Sequence, residues 1–409
     1  MRKNQKIKTV NKRVVSDIIT IVLFLAVIFG YAVAFVVKPD VEETDIERDL
    51  QTFPSFNMEN VIHGGMATQM DQYFCDQFPL RKDFITLKAN AEKYSYRAVN
   101  NGVLYAEVDR GEFGDVKFFV RTRFNAVGLG ADTEFYSKQH VDSTLTSLKT
   151  EIDKVSVPVD VMLPPRAIDV IGPTIGYPTY VGDTLNAQAA EILGDNYVDV
   201  MDTLRGLMDE NMQPYFSTDH HWTPVGSYYA FETWMNSWTD HNPQFESYDY
   251  VTRKIDFLGT SAKNGNYYDY YGEAMETIHF DRDHRFKIEL GQSLDAMLEK
   301  VGLYDMDALD TADPYNVYLH GKAKYTRITA PTEERDTILV VKDSFAHVFV
   351  PHLVRYYDVV MVDIDLSTPN EVSTINLSSL VEKTGADRVL IMYNLQNVIE
   401  TSKLAAIKG

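Results

Sequence analysis

The densest group of chemically able side chains in the sequence is Phe216-Ser217-Thr218-Asp219-His220-His221-Trp222-Thr223-Pro224. In an extended backbone, residues two apart project to one side, so Asp219 and His221 can share a site while His220 points away. A carboxylate bonded to one imidazole nitrogen leaves the other free to take a proton from a nucleophile, which is half of a hydrolytic triad. Thr223 suits a helix N-cap and Pro224 a first helical position, so a helix should follow at once. Three readings stay open from spacing alone: an acid-base pair, a set of metal ligands, or a structural loop that caps a helix. The metal reading is the weakest, because adjacent histidines diverge in extended backbone and no His-x-x-x-His or further acidic spacing completes a ligand set.

The nucleophile that such a pair would serve has one well-placed option. Ile338-Leu339-Val340-Val341 reads as a buried strand running into Lys342-Asp343-Ser344-Phe345, and a helical pattern follows. Ligands collect beyond the carboxyl ends of strands in open α/β sheets, so Ser344 stands where a reacting serine is useful. By itself it also reads as the cap of the helix that starts near Ala346. No Gly-x-Ser-x-Gly surrounds it, and Lys342 lacks the glycines of a phosphate loop. At a third strand end, Arg388-Val389-Leu390-Ile391-Met392-Tyr393-Asn394 places the Asn394 amide where it could donate to an oxyanion or simply end the strand in a turn. The remaining histidines show no useful spacing.

Several elements must position these groups. Strands are expected near Pro158–Leu163, Tyr197–Met201, Thr337–Val341, Val359–Ile364 and Arg388–Tyr393, with helices at about 184–193, 224–238, 346–356 and 371–384. Apolar runs alternating with amphipathic segments predict a parallel sheet covered by helices. Two short helices are expected between about 68 and 96, separated at Phe78-Pro79. From about 240 to 335 the pattern dissolves into Tyr, Asp and Gly, including Tyr267-Tyr268-Asp269-Tyr270-Tyr271, and predicts an insertion of loop character rather than core. Its tyrosines suit stacking on sugar rings as well as plain loops.

Composition narrows the class. With 409 residues, 45% hydrophobic and 24% charged, the chain can bury a real core and is neither disordered nor polytopic. Its 39 basic and 59 acidic residues give a formal charge of -20, although Arg2, Lys3, Lys6, Lys8, Lys12 and Arg13 are all basic. So negative a body repels phosphate backbones, which argues against nucleic acid and favours a neutral or cationic polymer. Cys75 is the single cysteine, which excludes an intramolecular disulfide and a cysteine-based zinc cluster. Ile18 to Val37 is uncharged and of membrane-spanning length. The basic residues before it, and the acidic run from Asp40 to Glu47 after it, predict a cytoplasmic segment 1–17, a transmembrane anchor 18–37, a stalk 38–60 and an exported body 61–409. A cleaved signal peptide ending near Ala32-Val33-Ala34 is the alternative, disfavoured because the apolar stretch is longer than a signal core.

Thr218-Asp219-His220-His221-Trp222-Thr223-Pro224 followed by Val341-Lys342-Asp343-Ser344-Phe345 resembles the DHHW family, which is similar to the alginate O-acetylation proteins AlgJ and AlgX within the SGNH hydrolase superfamily. Asp76-Gln77-Phe78-Pro79-Leu80-Arg81 and Asp256-Phe257-Leu258-Gly259-Thr260 extend the likeness over the exported body. The resemblance implies a flavodoxin-like three-layer α/β/α core with insertions, in which Ser344 is the nucleophile, His221 the general base and Asp219 its orienting acid. It implies acyl transfer to an exported polysaccharide without a cofactor, alongside a membrane-bound acyltransferase; a carbohydrate esterase or deacetylase, and a non-catalytic polysaccharide-binding scaffold for such an acyltransferase, are the alternatives. Acyl chemistry at Ser344 would place its own backbone amide, with Asn394 as a second donor, at the oxyanion. The Asp-x-His motif precedes the serine, whereas ordinary SGNH esterases place the serine first. Lys342 stands where superfamily members usually carry glycine, a departure at the edge of the oxyanion site.

Overall fold

The apolar runs at residues 338–341, 359–362 and 389–392, and the run 159–162 apolar but for Asp160, form strands because helices cover them on both faces. Alternate residues part company: Ile338 and Val340 join one buried cluster, Leu339 and Val341 the other. The first cluster holds helices Met201–Asp209, Pro224–Asn236 and Ala346–Leu353, and the second holds Lys138–Ile152, Tyr180–Leu193 and Leu377–Thr384. The result is three layers, helix on sheet on helix. The computed structural model describes residues 12–41, 50–94, 99–100, 102–110, 115–122, 137–281, 283–330, 334–364, 375–401 and 403–409. The basic residues up to Lys8, the acidic residues from Glu42 to Glu47 and the start of the helix expected at 371 lie outside these.

The sheet has eight strands: β1 (Val159–Met162), β2 (Tyr197–Val198), β3 (Lys287–Ser293), β4 (Ala296–Lys300), β5 (Tyr325–Thr329), β6 (Thr337–Lys342), β7 (Asp358–Asp363) and β8 (Arg388–Met392). Their spatial order is β2-β1-β8-β6-β7-β5-β3-β4. The five from β2 to β7 are parallel, and β5, β3 and β4 add an antiparallel edge. Counted from β6 through β7 and β8 and then on from β1 to β2, the parallel part reads 2-1-3-4-5, the flavodoxin-like order. The chain thus runs through that topology from a different starting strand. This is why the histidine motif precedes the serine: Ser344 follows the first strand of the cycle, and Asp219 and His221 come after the fifth.

Two local outcomes differ from the periodicity. β2 stops at Val198 rather than Met201 because Asp199 Oδ1 accepts the Met201 N–H at 2.9 Å and turns the chain into helix Met201–Asp209. Within the expected insertion, Asp249–Phe257 pairs with Glu273–His279 as a separate hairpin, while β3 and β5 pair into the main sheet. Tyr267 there is no exposed loop tyrosine, being buried with its ring 4.8 Å from that of Phe119.

Residues 1–88 and 89–409 form two compact units. In the first, helix Lys12–Val37 contains a stretch from Val14 to Val37 that is long and apolar enough to cross a membrane, a test that a signal sequence also passes. Helices Gly65–Asp76 and the segment beginning at Arg81 flank Phe78-Pro79 as expected. Buried Asp76 and Gln77 fasten the preceding segment: Asp76 accepts the Gln51 N–H at 3.0 Å, and the Gln77 amide donates to the carbonyls of Val41 and Gln51, each at 3.0 Å.

Candidate active site

The loop carrying Asp219 and His221 is a tight return. Tyr215 and Trp222 form an antiparallel bridge, and Phe216 N–H donates to the His221 carbonyl at 3.1 Å. Its inner turn is gathered by Glu273, whose carboxylate accepts the N–H groups of Ser217 at 2.7 Å and Thr218 at 2.6 Å, together with the Thr218 hydroxyl at 2.6 Å. The loop ends in helix Pro224–Asn236, where Thr223 Oγ1 accepts the Gly226 N–H at 3.1 Å as the N-cap. A side chain at Gly226 would strike the Pro214 carbonyl, with Cβ only 2.0 Å from its oxygen.

The serine is fixed from the other side. β6 ends at Lys342, and Asp343, itself buried, accepts Phe345 N–H at 3.0 Å, Asn394 N–H at 2.6 Å and the Asn397 amide at 3.0 Å. The turn holding Ser344 is thereby tied to the end of β8. Trp222 then joins the two halves: its indole N–H donates to the Phe345 carbonyl at 2.9 Å, and its ring packs on Phe345 and Phe349.

The three side chains selected from the sequence meet. Asp219 Oδ1 lies 2.6 Å from His221 Nδ1, and His221 Nε2 lies 2.7 Å from Ser344 Oγ. Burial alone would raise the Asp219 carboxyl. His220 and His221 nearby, the His221 hydrogen bond and the Thr260 N–H reverse this and hold it well below its ordinary range. An ionised Asp219 only accepts, so the Nδ1 proton stays on His221 and Nε2 presents its lone pair to the Ser344 hydroxyl. Tyr315 stacks flat on His221, ring centres 3.9 Å apart and 11° between planes, and its hydroxyl donates to the Ser344 carbonyl at 3.3 Å. No spacing in the sequence singled out Tyr315. The Ser344 N–H has no acceptor among the described residues.

Two expectations are corrected. The Asn394 amide does not face the oxyanion: Nδ2 donates to the carbonyls of Pro164 at 3.0 Å and Pro165 at 3.5 Å, and Oδ1 caps the next helix through Gln396 N–H. His220 does not point away from His221. The backbone at 217–220 bends where Glu273 collects its amides, and the two imidazoles lie 3.9 Å apart. Lys342, the departure noted beside the serine, turns away from Ser344: its ammonium is buried between Asp363 and His347 Nε2, the latter at 2.6 Å.

Asp219, His220 and His221 place ligand atoms within 4.8 Å of one another, but those atoms are engaged. Asp219 Oδ2 accepts both the N–H and the hydroxyl of Thr260, at 2.8 and 3.0 Å, and the Thr260 oxygen in turn faces His220 Nδ1 at 2.9 Å. A cation would have to displace this set. Gly259 permits the Thr260 contacts: a Cβ there would sit 2.4 Å from Asp219 Cβ, so only glycine lets the Thr260 amide approach. The segment 256–260 therefore serves as the carboxylate's cradle.

Burial pushes the Glu273 carboxyl up to about 7 against the pull of its hydrogen bonds. Its folded value lies above the unfolded one, so its contribution to stability is full below the ordinary glutamate range and is lost as pH rises toward 7. Unfolding free energy should fall more between pH 5 and 7.5 in the wild type than in Glu273→Gln, measured by denaturant titration at each pH. Equal slopes would exclude Glu273 as the titrating group.

Comparison with solved structures finds the fold. A DHHW family protein from Eubacterium siraeum is similar at 16% identity and TM-score 0.55, covering 75% of this chain and 95% of that one. PatB1 of Bacillus cereus, solved with a sulfonyl adduct, is similar at 16% identity and TM-score 0.53, covering 66% and 93%. The O-acetyltransferase domain of Pseudomonas putida AlgJ aligns at 12% identity and TM-score 0.38, covering 64% and 85%. No curated protein matches the sequence. At the level of sequence it is the DHHW protein family that this chain matches, over residues 185–363, the stretch that holds Asp219, His221 and Ser344.

Proposed function

We propose that this protein is an extracytoplasmic serine acyl-transfer enzyme that O-acetylates an exported polysaccharide. The observation that carries the reading is the unbroken relay from Asp219 through His221 to Ser344 Oγ, with contacts of 2.6 and 2.7 Å. His221 Nε2 takes the hydroxyl proton as Ser344 attacks the acyl carbonyl, and returns it to the leaving group as the tetrahedral adduct collapses to acyl-serine. The Ser344 N–H faces the oxyanion. In the second half His221 deprotonates a sugar hydroxyl, which attacks the acyl carbon, and the proton ends on Ser344. With water as acceptor the same steps make an esterase.

Location and partner follow from the same reading. The apolar N-terminal helix anchors the body outside the cytoplasmic membrane, where an acyl donor must be delivered across the bilayer, the task of a membrane-bound acyltransferase. The net charge of -20 suits a neutral or cationic acceptor polymer.

The test treats the full chain in detergent with p-nitrophenyl acetate or an aryl sulfonyl fluoride and follows intact mass. One acetyl or sulfonyl group on the peptide holding Ser344 is expected, and a neutral oligosaccharide should then take the acetyl group in preference to water. A label on another residue would overturn the nucleophile, and release of acetate alone would make the enzyme an esterase.

A further inference from the structure

The membrane unit carries more exposed apolar surface than its spanning helix needs. Phe56, Ile62 and Leu87 are 72%, 74% and 66% exposed, and Phe74, Leu80 and Phe84 are exposed beside them. Large apolar side chains this exposed, on and beside helices Met58–Ile62 and Gly65–Asp76 and in the first turns after Arg81, mark an interaction surface. Phe84 and Leu87 are three apart and share one helix face.

Contacts with the apolar helix fix the depth of this surface. The Tyr31 ring stacks on Phe78 at 5.4 Å and meets Phe84 at 5.9 Å, while Phe35 meets Tyr73 and Phe74, both at 5.5 Å. At about 1.5 Å rise per residue, Tyr31 lies roughly 9 Å below the end of the helix at Val37. An apolar helix from Val14 to Val37 is about 36 Å long, against a hydrocarbon core of about 30 Å, so little of it stands clear of lipid. Tyr31 is then within or at the edge of the acyl region, and the rings that touch it share its depth. Aromatic side chains are favoured at that boundary.

We propose that residues 53–87 are a collar seated in the outer leaflet, with lipid covering their apolar face. This rests on the reading of the N-terminal helix as a retained anchor. Lipid is the occupant because the patch is continuous with a helix that lipid must surround, and amphipathic helices with one apolar face lie in the interface in this manner.

Cys75 is the single cysteine, so a Cys75→Ser chain accepts one new thiol at a time. The full chain in phosphatidylcholine nanodiscs would carry an environment-sensitive fluorophore on Ile62→Cys or Leu87→Cys, with Ile21→Cys in the anchor and fully exposed Val301→Cys as references. Blue-shifted emission quenched by nitroxide-labelled lipid, as at Ile21, and shielded from iodide, is expected at Ile62 and Leu87. Iodide quenching like that at Val301 overturns the collar, as does shielding from both quenchers, which would mean a protein cover. Loss of lipid quenching at Ile21 itself would refute the anchor instead, so the two failures are distinguishable.

Discussion

Replacing Ser344 with alanine should lower acyl turnover by about 10^4- to 10^6-fold, the range found when a member of a catalytic triad is removed. The change deletes one oxygen whose hydrogen bond runs to His221, so the melting temperature should stay near the wild-type value. Asp219→Asn should cost about 10^4-fold, since an amide cannot enforce the Nδ1-protonated tautomer of His221. It should also lower the melting temperature, because the Asp219 carboxylate accepts from Thr260 as well as His221. Steady-state p-nitrophenyl acetate kinetics beside a thermal melt would check both. Wild-type turnover in a folded Ser344→Ala protein would end the serine mechanism.

The second large effect lies behind the nucleophile. Lys342 is 1% exposed, and its ammonium is paired with Asp363 at the end of the neighbouring strand. Asp363→Ala leaves that cation buried without its anion, at a cost of about 3–5 kcal/mol. Replacing both partners, Lys342→Met with Asp363→Leu, removes the charge together with its counterion and should recover much of the loss. Denaturant unfolding of the three proteins would decide, and an Asp363→Ala chain as stable as the wild type would show that the pair holds nothing. His347 sharpens the argument. Burial and the adjacent Lys342 keep it well below the usual histidine range, so it stays neutral and accepts from the ammonium.

Much of the core was legible because it is built from residues that obey one constraint at a time. A strand buried on both faces must be largely apolar, so β1, β6, β7 and β8 were readable as runs despite Asp160, and Thr223-Pro224 marked a helix start by local capping chemistry. β5, β3 and β4 were harder: an edge strand with one mixed face resembles a polar loop, and its pairing partner is distant in sequence. The site divides in the same way. Asp219, His221 and Ser344 were legible from residue type, spacing and the strand end. Tyr315 and Glu273 were not, because each acts on residues far along the chain, 94 and 55 positions away in the contacts with His221 and Thr218. Asn394 shows the converse error, since a strand end selects the right edge of the sheet but says nothing of which way an amide turns.

The sequence by itself determined the chemistry on offer: one cysteine and hence no internal disulfide, an apolar helix ahead of an acidic body, an Asp-x-His motif beside a capped helix, and a serine after a buried strand. These follow from composition, short-range spacing and local backbone preference, which are properties of the chain before it folds. Only the tertiary structure decided that Ser344 and His221, 123 residues apart, lie 2.7 Å from each other. It also decided that the parallel strands close in the 2-1-3-4-5 order from a shifted start, that Lys342 turns away into an ion pair, and that Asn394 caps a helix. Such outcomes depend on which buried polar groups find partners across the sheet, a condition that long-range packing imposes and no local pattern records.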